Sequence, residues 1–260
     1  MTNVHGDYIW YELMTTDPDG ARTFYEGLVG WNIENQPSGD QDYRMISAAS
    51  GPVAGLMPLT QEMCDNGAQP LWAGYIGVDD VDASAAKITE HGGTIMLEPQ
   101  DIPGVGRFAF ASDPSGVPFY VMRGSVDEES DSFAKYEPQA GHCAWNELTT
   151  ADQAAAHNFY TALFGWEKAD TMDMGEMGAY DMYANGDYTL GAIMQKPAEM
   201  PMSMWSYYFR VPDIDAAAAY VGANGGQIIN GPMEIPGGEY VFTAIDPQGA
   251  MFSLIGAKGA

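Results

Sequence analysis

The chain is a tandem duplication, and this limits the folds that it can adopt. The segment that starts at Trp10 recurs at Trp145, an offset of 135 residues, and 11 of the 22 positions from Trp10 to Trp31 are identical to those from Trp145 to Trp166. The second halves of the two copies also match, at an offset of 133 residues, through Gly-Gly, Pro-Gly and Asp-Pro pairs. A period of well over 100 residues indicates duplicated modules and not a solenoid of short repeats.

The duplication predicts two domains joined by a short connection. We place the first module at residues 1–124 and the second at residues 141–260. The stretch between them, residues 125–140, contains acidic and serine residues that are typical of a linker.

Each module is predicted to have the element order βαβββ twice. Tyr8 to Met14 alternates and is rich in aromatic residues, which predicts a strand. Residues 17–29 have apolar residues at helical spacing, with Asp17 at the N-cap and Gly30 just past the end. The remaining elements of the first module are predicted as strands at 31–35, 43–48, 53–59 and 71–78, a helix at 81–91, and strands at 94–97, 107–112 and 118–122.

The charge of the chain excludes several classes of partner. It has 36 acidic and 10 basic residues, a formal net charge of −26, which repels phosphate backbones and anionic lipid headgroups. We therefore expect no nucleic-acid or membrane partner. No apolar run reaches the roughly 18 to 20 residues that span a bilayer, and the N-terminus lacks a signal-peptide pattern. These features predict a soluble, cytoplasmic protein whose two cysteines, Cys64 and Cys143, are reduced thiols.

Both copies contain a Phe-Tyr pair followed by Gly-Trp, as in Phe24-Tyr25 and Gly30-Trp31, and an Asp-Pro-x-Gly turn, as at residues 113–116. These motifs resemble those of the vicinal oxygen chelate superfamily, which includes glyoxalase I, extradiol dioxygenases and bleomycin-binding proteins. The resemblance covers nearly the whole chain and implies an α+β fold of two tandem modules. In each module, two βαβββ units then form one curved mixed sheet with an internal cleft. One such scaffold carries several chemistries, so the motifs are specific for fold and not for function.

The resemblance also allows the metal site of the metal-dependent members to be checked. There, His and Glu residues from the first, fourth, fifth and last strands hold a divalent ion. The fourth-strand segments, residues 53–59 and 189–195, contain no Asp, Glu or His. The other positions fall on Trp10, Ala73 and Tyr120 in the first module and on Trp145, Ser206 and Ser253 in the second. Because an indole offers only a donor and a divalent ion needs several converging ligands, we predict no metal at the usual site and no cofactor. A divalent metal would need atypical ligands.

Two glutamates are the candidate catalytic residues. If Trp10 and Trp145 point inward, strand alternation puts Glu12 and Glu147 on the same face as these indoles. Such a cleft would stack a ligand on Trp while Glu accepts a hydrogen bond or a proton from it. The alternative is a structural carboxylate held by backbone amides, Tyr hydroxyls or an arginine, and Arg210, itself a candidate ligand-binding residue, is the cation expected near Glu147.

The remaining candidate ligand-binding residues, besides the two indoles, are mostly aromatic. Tyr75 and Tyr208 are predicted to point inward from the fifth strand, and Tyr120 and Ser253 from the last. Aromatic lining suits a small-molecule pocket, but aromatic residues also fill ordinary β cores. Arg107 suits an anionic ligand, and the alternative is a surface ion pair with the surplus acids.

Three hypotheses for function follow. The leading one is binding of a small, partly aromatic or apolar molecule in Trp/Tyr/Glu-lined clefts without the usual metal. The second is a glyoxalase-like lyase or isomerase, or a dioxygenase-related enzyme, that uses Glu12 or Glu147 as a base or an atypical metal site. The third is a structural or partner-binding protein. We expect a monomer or a homodimer whose partner is a small molecule, since the tandem can take the place of the dimer formed by single-module relatives.

Overall fold

The computed structural model describes residues 3–35, 42–126 and 128–259. The first copy contains β1 (Tyr8–Thr15), α1 (Pro18–Val29), β2 (Asn32–Ile33), β3 (Arg44–Ala48), β4 (Gly51–Pro58), α2 (Gln61–Asp65), β5 (Leu71–Gly77), α3 (Val81–Glu90), β6 (Thr94–Ile102), β7 (Gly106–Ser112) and β8 (Pro118–Gly124). The second copy contains β9 (Cys143–Thr150), α4 (Gln153–Phe164), β10 (Glu167–Asp173), a 3-10 turn (Gly175–Met177), β11 (Ala179–Asn185), β12 (Tyr188–Gln195), β13 (Met204–Val211), α5 (Ile214–Ala223), β14 (Gln227–Glu234), β15 (Tyr240–Ile245) and β16 (Met251–Gly256). Within these ranges, every helix is too short or too polar to cross a bilayer.

The strands form two mixed sheets of eight strands, one for each copy. Their orders are β2-β3-β4-β1-β5-β8-β7-β6 and β10-β11-β12-β9-β13-β16-β15-β14. The first and last strands of each βαβββ unit are parallel neighbours, as in β1 with β4 and β5 with β8. The hairpin pairs within each unit are antiparallel, as in β3 with β4 and β7 with β8. The order confirms the predicted α+β fold of tandem modules, each with two βαβββ units.

The ends of helix α1 are fixed by the residues predicted to do so. The Asp17 carboxylate accepts a hydrogen bond from the backbone N–H of Gly20, and Pro18 occupies the first turn, where no N–H is needed. Gly30 ends the helix with φ of 80°, a left-handed conformation that favours glycine. The buried face of α1 consists of Ala21, Phe24, Tyr25 and Leu28.

Two elements differ from the sequence prediction. Helix α2 was not predicted, because it is one turn long and buries no residue, so it has no apolar periodicity. Its start is fixed by Thr60, whose hydroxyl accepts a hydrogen bond from the N–H of Met63. Strand β6 extends past the predicted end at residue 97 to Ile102, because pairing with β7 resumes after two register shifts.

The described chain divides into two compact lobes that do not follow the two copies. Lobe 1 contains residues 73–131 and 145–205 together with the segment before Trp10. Lobe 2 contains residues 10–72, 132–144 and 206–260. Each lobe therefore combines one βαβββ unit of the first copy with one of the second. The module limits at residues 124 and 141 stay a prediction.

The predicted linker is partly packed into lobe 2. Phe133 is 2% exposed and forms an isolated β-bridge with Cys143. The backbone N–H of Ala134 donates to the carbonyl of Cys143 at 2.9 Å. This part of the stretch is therefore held by main-chain hydrogen bonds and is not an extended tether.

The core of lobe 2 contains a buried hydrogen-bond network made from both copies. The Tyr25 hydroxyl donates to Asp246 Oδ2 at 3.0 Å, and Trp72 Nε1 donates to the Tyr25 oxygen at 3.0 Å. Asp246 Oδ1 accepts the backbone N–H groups of Gln248 and Ala250. The Phe-Tyr helix of the first copy is thus bonded to the Asp-Pro-x-Gly turn of the second.

Lobe 1 contains the reciprocal network. The Tyr160 hydroxyl donates to Asp113 Oδ2 at 3.3 Å, and Trp205 Nε1 donates to the Tyr160 oxygen at 3.0 Å. Asp113 Oδ1 accepts the N–H groups of Ser115 and Val117. The Phe-Tyr helix of the second copy is therefore hydrogen-bonded to the turn of the first. Each lobe thus contains the same set of hydrogen bonds, with the helix and the turn supplied by opposite copies.

Removing the Tyr25 hydroxyl tests this network. In a Tyr25→Phe variant, the Asp246 carboxylate loses a donor and the Trp72 indole loses its acceptor inside the core. We expect the free energy of unfolding to fall by about 1–3 kcal/mol, measured by urea denaturation. The control is Tyr240→Phe, whose hydroxyl bonds to Glu234 at the surface, with an expected change below about 0.5 kcal/mol. Equal losses in the two variants would contradict a special role for the buried network.

The same network predicts a dependence of stability on pH. Burial raises the pKa of Asp246 above its ordinary value, although the hydrogen bonds to its carboxylate oppose the shift. A carboxyl whose pKa is higher in the folded state binds more protons there, so its contribution to stability falls as pH rises through the folded pKa. We expect Asp246→Asn to lose less stability than the wild type between about pH 4 and pH 7 in urea denaturation. Parallel curves for the two proteins would show that the carboxyl does not titrate as proposed.

Candidate functional site

In lobe 2, the first strand of the first copy carries a chain of hydrogen bonds from Trp10 to Glu12. Trp10 Nε1 donates to the Tyr43 hydroxyl oxygen at 2.9 Å. The Tyr43 hydroxyl in turn donates to the Glu12 carboxylate. The two β1 residues lie on one face by strand alternation, and Tyr43 lies just before β3.

Strand β4 makes room for this arrangement. Gly55 is the register partner of Glu12, and a β-carbon at Gly55 would overlap the Tyr43 hydroxyl. A glycine at this place therefore lets the phenol reach the carboxylate. Any side chain here would require the Tyr43 ring to shift.

Lobe 1 contains the same chain of bonds from the second copy. Trp145 Nε1 donates to the Tyr180 hydroxyl oxygen at 2.8 Å, and that hydroxyl donates to Glu147 Oε2 at 2.7 Å. Trp145 and Glu147 lie on β9, and Tyr180 lies on β11. The Trp-Tyr-Glu set is therefore built twice from the same strands of the βαβββ unit.

The two sets differ in solvent exposure. Glu12 is 2% exposed, whereas Glu147 is partly exposed; the Trp and Tyr of both sets are partly exposed. Burial raises the pKa of Tyr43, and the negative charge of Glu12 raises it further. The Tyr43 phenol thus stays protonated and remains a hydrogen-bond donor to Glu12, while the Glu147 carboxylate of the second set is partly open to solvent.

Tyr43 and Tyr180 were not predicted as site residues. The sequence analysis considered a Tyr hydroxyl as one partner of a buried Glu but did not say which Tyr it was. A usable signal exists, since each is a tyrosine near the start of the third strand of its βαβββ unit, 33 or 35 residues after the Trp. The loops before these strands differ in length, so a constant offset between the copies does not reveal the match.

The positions that the resemblance assigns to metal ligands do not fit a divalent ion. The indoles of Trp10 and Trp145 are used as N–H donors, and the fifth-strand position in the first copy is Ala73, which has no ligating atom. Within the three described ranges, no group of three or more His, Cys, Asp or Glu residues is placed to hold a metal.

The fifth and last strands of the first copy carry an aromatic cluster in lobe 1. Tyr75 lies opposite Tyr120 in the parallel pairing of β5 and β8, and the two rings stack with centroids 4.0 Å apart at 9°. Phe110, opposite Tyr120 on β7, packs on it with centroids 4.4 Å apart. These three rings therefore pack against one another.

The matching strands of the second copy, in lobe 2, carry small hydroxyls. Tyr208 lies opposite Ser253, as Tyr75 lies opposite Tyr120. Ser253 Oγ and Thr243 Oγ1 are 2.9 Å apart and share a hydrogen bond. Tyr208 and Ser253 therefore occupy the same positions in the strand pairing as Tyr75 and Tyr120. The last-strand residue is a serine in the second copy and an aromatic ring in the first.

The two candidate arginines engage carboxylates near them. Arg107 bonds to Asp82 through two nitrogens, at 2.7 and 2.8 Å, and to Asp101 at 3.1 Å, all near the surface. This is the surface pairing considered as the alternative for Arg107, and the hydrogen bonds from Arg107, together with its charge, lower the pKa of Asp82. The expectation that Arg210 is the cation near Glu147 was wrong, because Arg210 donates to both carboxylate oxygens of Glu239.

A matched pair of variants tests the difference in burial between the two sets. Tyr43→Phe removes a donor from a buried carboxylate, whereas Tyr180→Phe removes one from a carboxylate that water can reach. We expect Tyr43→Phe to lower the free energy of unfolding by about 1–3 kcal/mol and Tyr180→Phe by roughly half as much or less, in urea denaturation. A larger loss in Tyr180→Phe would show that the exposed set is the more tightly held one.

The chain matches a family model described as Glyoxalase/Bleomycin resistance protein/Dioxygenase superfamily over residues 8–121 and again over residues 139–254. A curated relative, "Putative glyoxylase CFP32" of Mycobacterium tuberculosis, is 34% identical over 248 residues, covering 95% of this chain and 93% of the relative. The "Anthracycline biosynthesis protein DauV" of Streptomyces sp. strain C5 is 30% identical over 267 residues, covering 96% and 93%.

Solved structures show the same fold at low sequence identity. A Mn(II)-bound glyoxalase from Novosphingobium aromaticivorans gives a TM-score of 0.64 at 17% identity, covering 100% of this chain and 84% of that one. The 2,3-dioxygenase LapB from Pseudomonas sp. KL28 gives a TM-score of 0.64 at 13% identity, covering 100% and 94%. With two family matches that together span most of its length, the chain belongs to the glyoxalase/bleomycin resistance protein/dioxygenase superfamily, also called the vicinal oxygen chelate superfamily.

Proposed function

We propose that this member of the superfamily binds a small, partly aromatic or apolar molecule at the Trp-Tyr-Glu set whose carboxylate is partly exposed, Trp145, Tyr180 and Glu147. The observation that carries the proposal is that three partly exposed groups, an indole, a phenol and a carboxylate, are joined in series by hydrogen bonds. The bond from the Trp145 indole to Tyr180 and the bond from Tyr180 to Glu147 fix all three before any ligand arrives. Such preorganisation reduces the entropy lost on binding.

Each group of the set has a definite use in recognition. The Trp145 ring offers a flat apolar surface on which a planar ligand can stack. The Glu147 carboxylate has two oxygens with several acceptor sites, so it can take a hydrogen bond from a ligand while it accepts one from Tyr180. The ligand class that fits is a molecule with an apolar or aromatic body and a hydrogen-bond donor.

The names of the relatives support a small organic ligand. Two relatives that are 30% identical over nearly their whole length are named as anthracycline biosynthesis proteins. Their similarity extends over both copies of the duplication, which makes an anthracycline a reasonable first probe for this chain.

We further propose that binding does not use the usual metal site of the superfamily. The support is the donor chemistry of the strand positions, since Trp10 and Trp145 offer no lone pair to a metal and Ala73 offers no ligating atom at all. A metal held by other residues would need ligands outside the pattern that the resemblance supplies.

A second candidate function is a glyoxalase-like lyase or isomerase with Glu147 as its base. It is favoured by the 34% identity to a relative named as a glyoxylase and by the exposed carboxylate beside Trp145. In such a reaction Glu147 would remove a proton from a carbon next to a carbonyl and return it to the neighbouring carbon. Tyr180 would orient the carboxylate throughout.

Replacing Glu147 by Gln separates these functions. The amide keeps the shape and still accepts a bond from Tyr180, but it is a weaker acceptor and cannot act as a base. By titration calorimetry with an anthracycline, we expect the affinity to fall about tenfold, since a hydrogen bond to a charged group contributes about 1.5–3 kcal/mol. Binding by the wild type should be unchanged by EDTA.

The matched control is Glu167→Gln, an exposed glutamate on β10 of the same lobe that lies outside the Trp-Tyr-Glu set. It should bind the anthracycline as the wild type does. Equal affinities of Glu147→Gln and wild type, or loss of binding with EDTA, would overturn the proposal. Turnover of a methylglyoxal hemithioacetal by the wild type that disappears in Glu147→Gln would establish the enzyme instead.

A further inference from the structure

The two Trp-Tyr-Glu sets consist of the same three residue types, yet only the first carboxylate is buried. Glu12 is 2% exposed, whereas Glu147 is partly exposed. The tryptophan and the tyrosine are partly exposed in both sets, so the difference is confined to the carboxylate. A difference of this kind points to the residues that lie beside each carboxylate, within its own lobe and on the same face of the sheet.

The register partner of the glutamate is one position at which the copies differ. Glu12 pairs with Gly55 on β4, whereas Glu147 pairs with Ala192 on β12. The two partners are equivalent, because β4 lies between β1 and β3 just as β12 lies between β9 and β11. The second copy therefore has one methyl group beside its carboxylate that the first copy lacks.

In the first copy, the place of that methyl group is taken by the phenol. A β-carbon at Gly55 would overlap the hydroxyl end of Tyr43. The Tyr43 hydroxyl therefore lies directly over the main chain of β4. The Glu12 carboxylate accepts a hydrogen bond from this hydroxyl, so it too is held low against the sheet, where water does not reach it.

In the second copy, the methyl group is present and the hydrogen bonds are still made. Tyr180 accepts a bond from the Trp145 indole at 2.8 Å and donates to Glu147 at 2.7 Å. Ala192 is 1% exposed, so its β-carbon is covered by its neighbours. Because non-bonded atoms do not overlap, the Tyr180 hydroxyl and the carboxylate bonded to it lie farther from the main chain of β12 than their equivalents lie from β4.

A second neighbour of the carboxylate also differs between the copies. Met14 follows Glu12 by two residues on β1, and Thr149 follows Glu147 by two residues on β9, so each shares a face with its glutamate. The longer methionine side chain offers another way to cover a carboxylate. Only the glycine position, however, lies beneath the phenol that bonds to the carboxylate, and the threonine position supplies a matched control.

We propose that Ala192 is a positioning residue that keeps the Glu147 carboxylate open to a ligand, and that Gly55 lets the first set close. The steric effect stands without a ligand, but its meaning for recognition rests on the proposed small-molecule function. One methyl group then decides which of two sets of the same residues is a binding site. The open carboxylate accepts a hydrogen bond from a ligand, and the closed one is out of reach.

Carboxyl footprinting tests the steric effect with no ligand present. A water-soluble carbodiimide and glycine ethyl ester convert accessible carboxylates into amides, and mass spectrometry gives the rate at each residue. In the wild type, we expect Glu147 to react faster than Glu12. Ala192→Gly should slow the reaction of Glu147 about threefold or more, and Gly55→Ala should speed that of Glu12 by a similar factor, because the reaction needs an exposed carboxylate.

The matched control is Thr149→Met, which installs the residue of the first copy and should leave the rate at Glu147 unchanged. Circular dichroism checks the fold of each variant. The backbone of Gly55 is outside the left-handed region, so a side chain there meets no backbone strain. Gly55→Ser also carries a β-carbon and decides the matter if Gly55→Ala does not fold. A slower reaction of Glu147 in Thr149→Met, with no change in Ala192→Gly, would overturn the proposal.

Titration calorimetry with an anthracycline then tests the consequence for binding. Ala192→Gly should weaken binding about tenfold, since it withdraws a charged acceptor from the ligand. Gly55→Ala should add a second binding event to that of the wild type. Unchanged footprinting rates in both variants would reject the positioning role whatever the binding results are. The expected rates together with no binding by the wild type would reject the small-molecule function alone.

Discussion

A buried hydrogen bond between a helix tyrosine and a turn aspartate joins parts of the chain that are far apart in sequence, and the rest of the structure depends on it. Tyr25 and Asp246 are 221 residues apart, yet the phenol donates to the carboxylate inside one core. Tyr160 and Asp113 form the reciprocal pair. An indole donates to each phenol oxygen, so each hydroxyl both donates and accepts a hydrogen bond. Because the hydroxyls are buried, a missing hydrogen bond there would be costly.

This interaction explains why the duplication is more than two independent domains in series. Each lobe takes one βαβββ unit from each copy, and the bond from tyrosine to aspartate links the two contributions within that lobe. The aspartate also holds its own turn through two backbone N–H groups. One carboxylate therefore fixes the turn before the last strand and the helix that follows the first strand of the other copy.

Both copies keep the tyrosine–aspartate network, but the strands that carry the candidate ligand-binding residues differ between the copies. The Trp-Tyr-Glu set is kept in both copies, but its carboxylate is buried in the first and partly exposed in the second. The fifth and last strands hold stacked rings in the first copy, and a serine and threonine that share a hydrogen bond in the second. Equivalent backbone positions thus present different chemistry, which is how one scaffold hosts different ligands.

The sequence by itself determined the duplication, the βαβββ order, the ends of helix α1 and the family, because these depend on local periodicity, capping residues and motifs that recur at a nearly constant offset. It also placed Glu12 beside Trp10 and Glu147 beside Trp145, since alternation along a strand is local. Only the tertiary structure decided that Tyr43 and Tyr180 are the partners of these carboxylates, that Arg210 bonds to Glu239, and that the lobes exchange halves of the two copies. Those contacts join residues on different strands and helices, and no local pattern specifies which distant side chain completes a hydrogen bond.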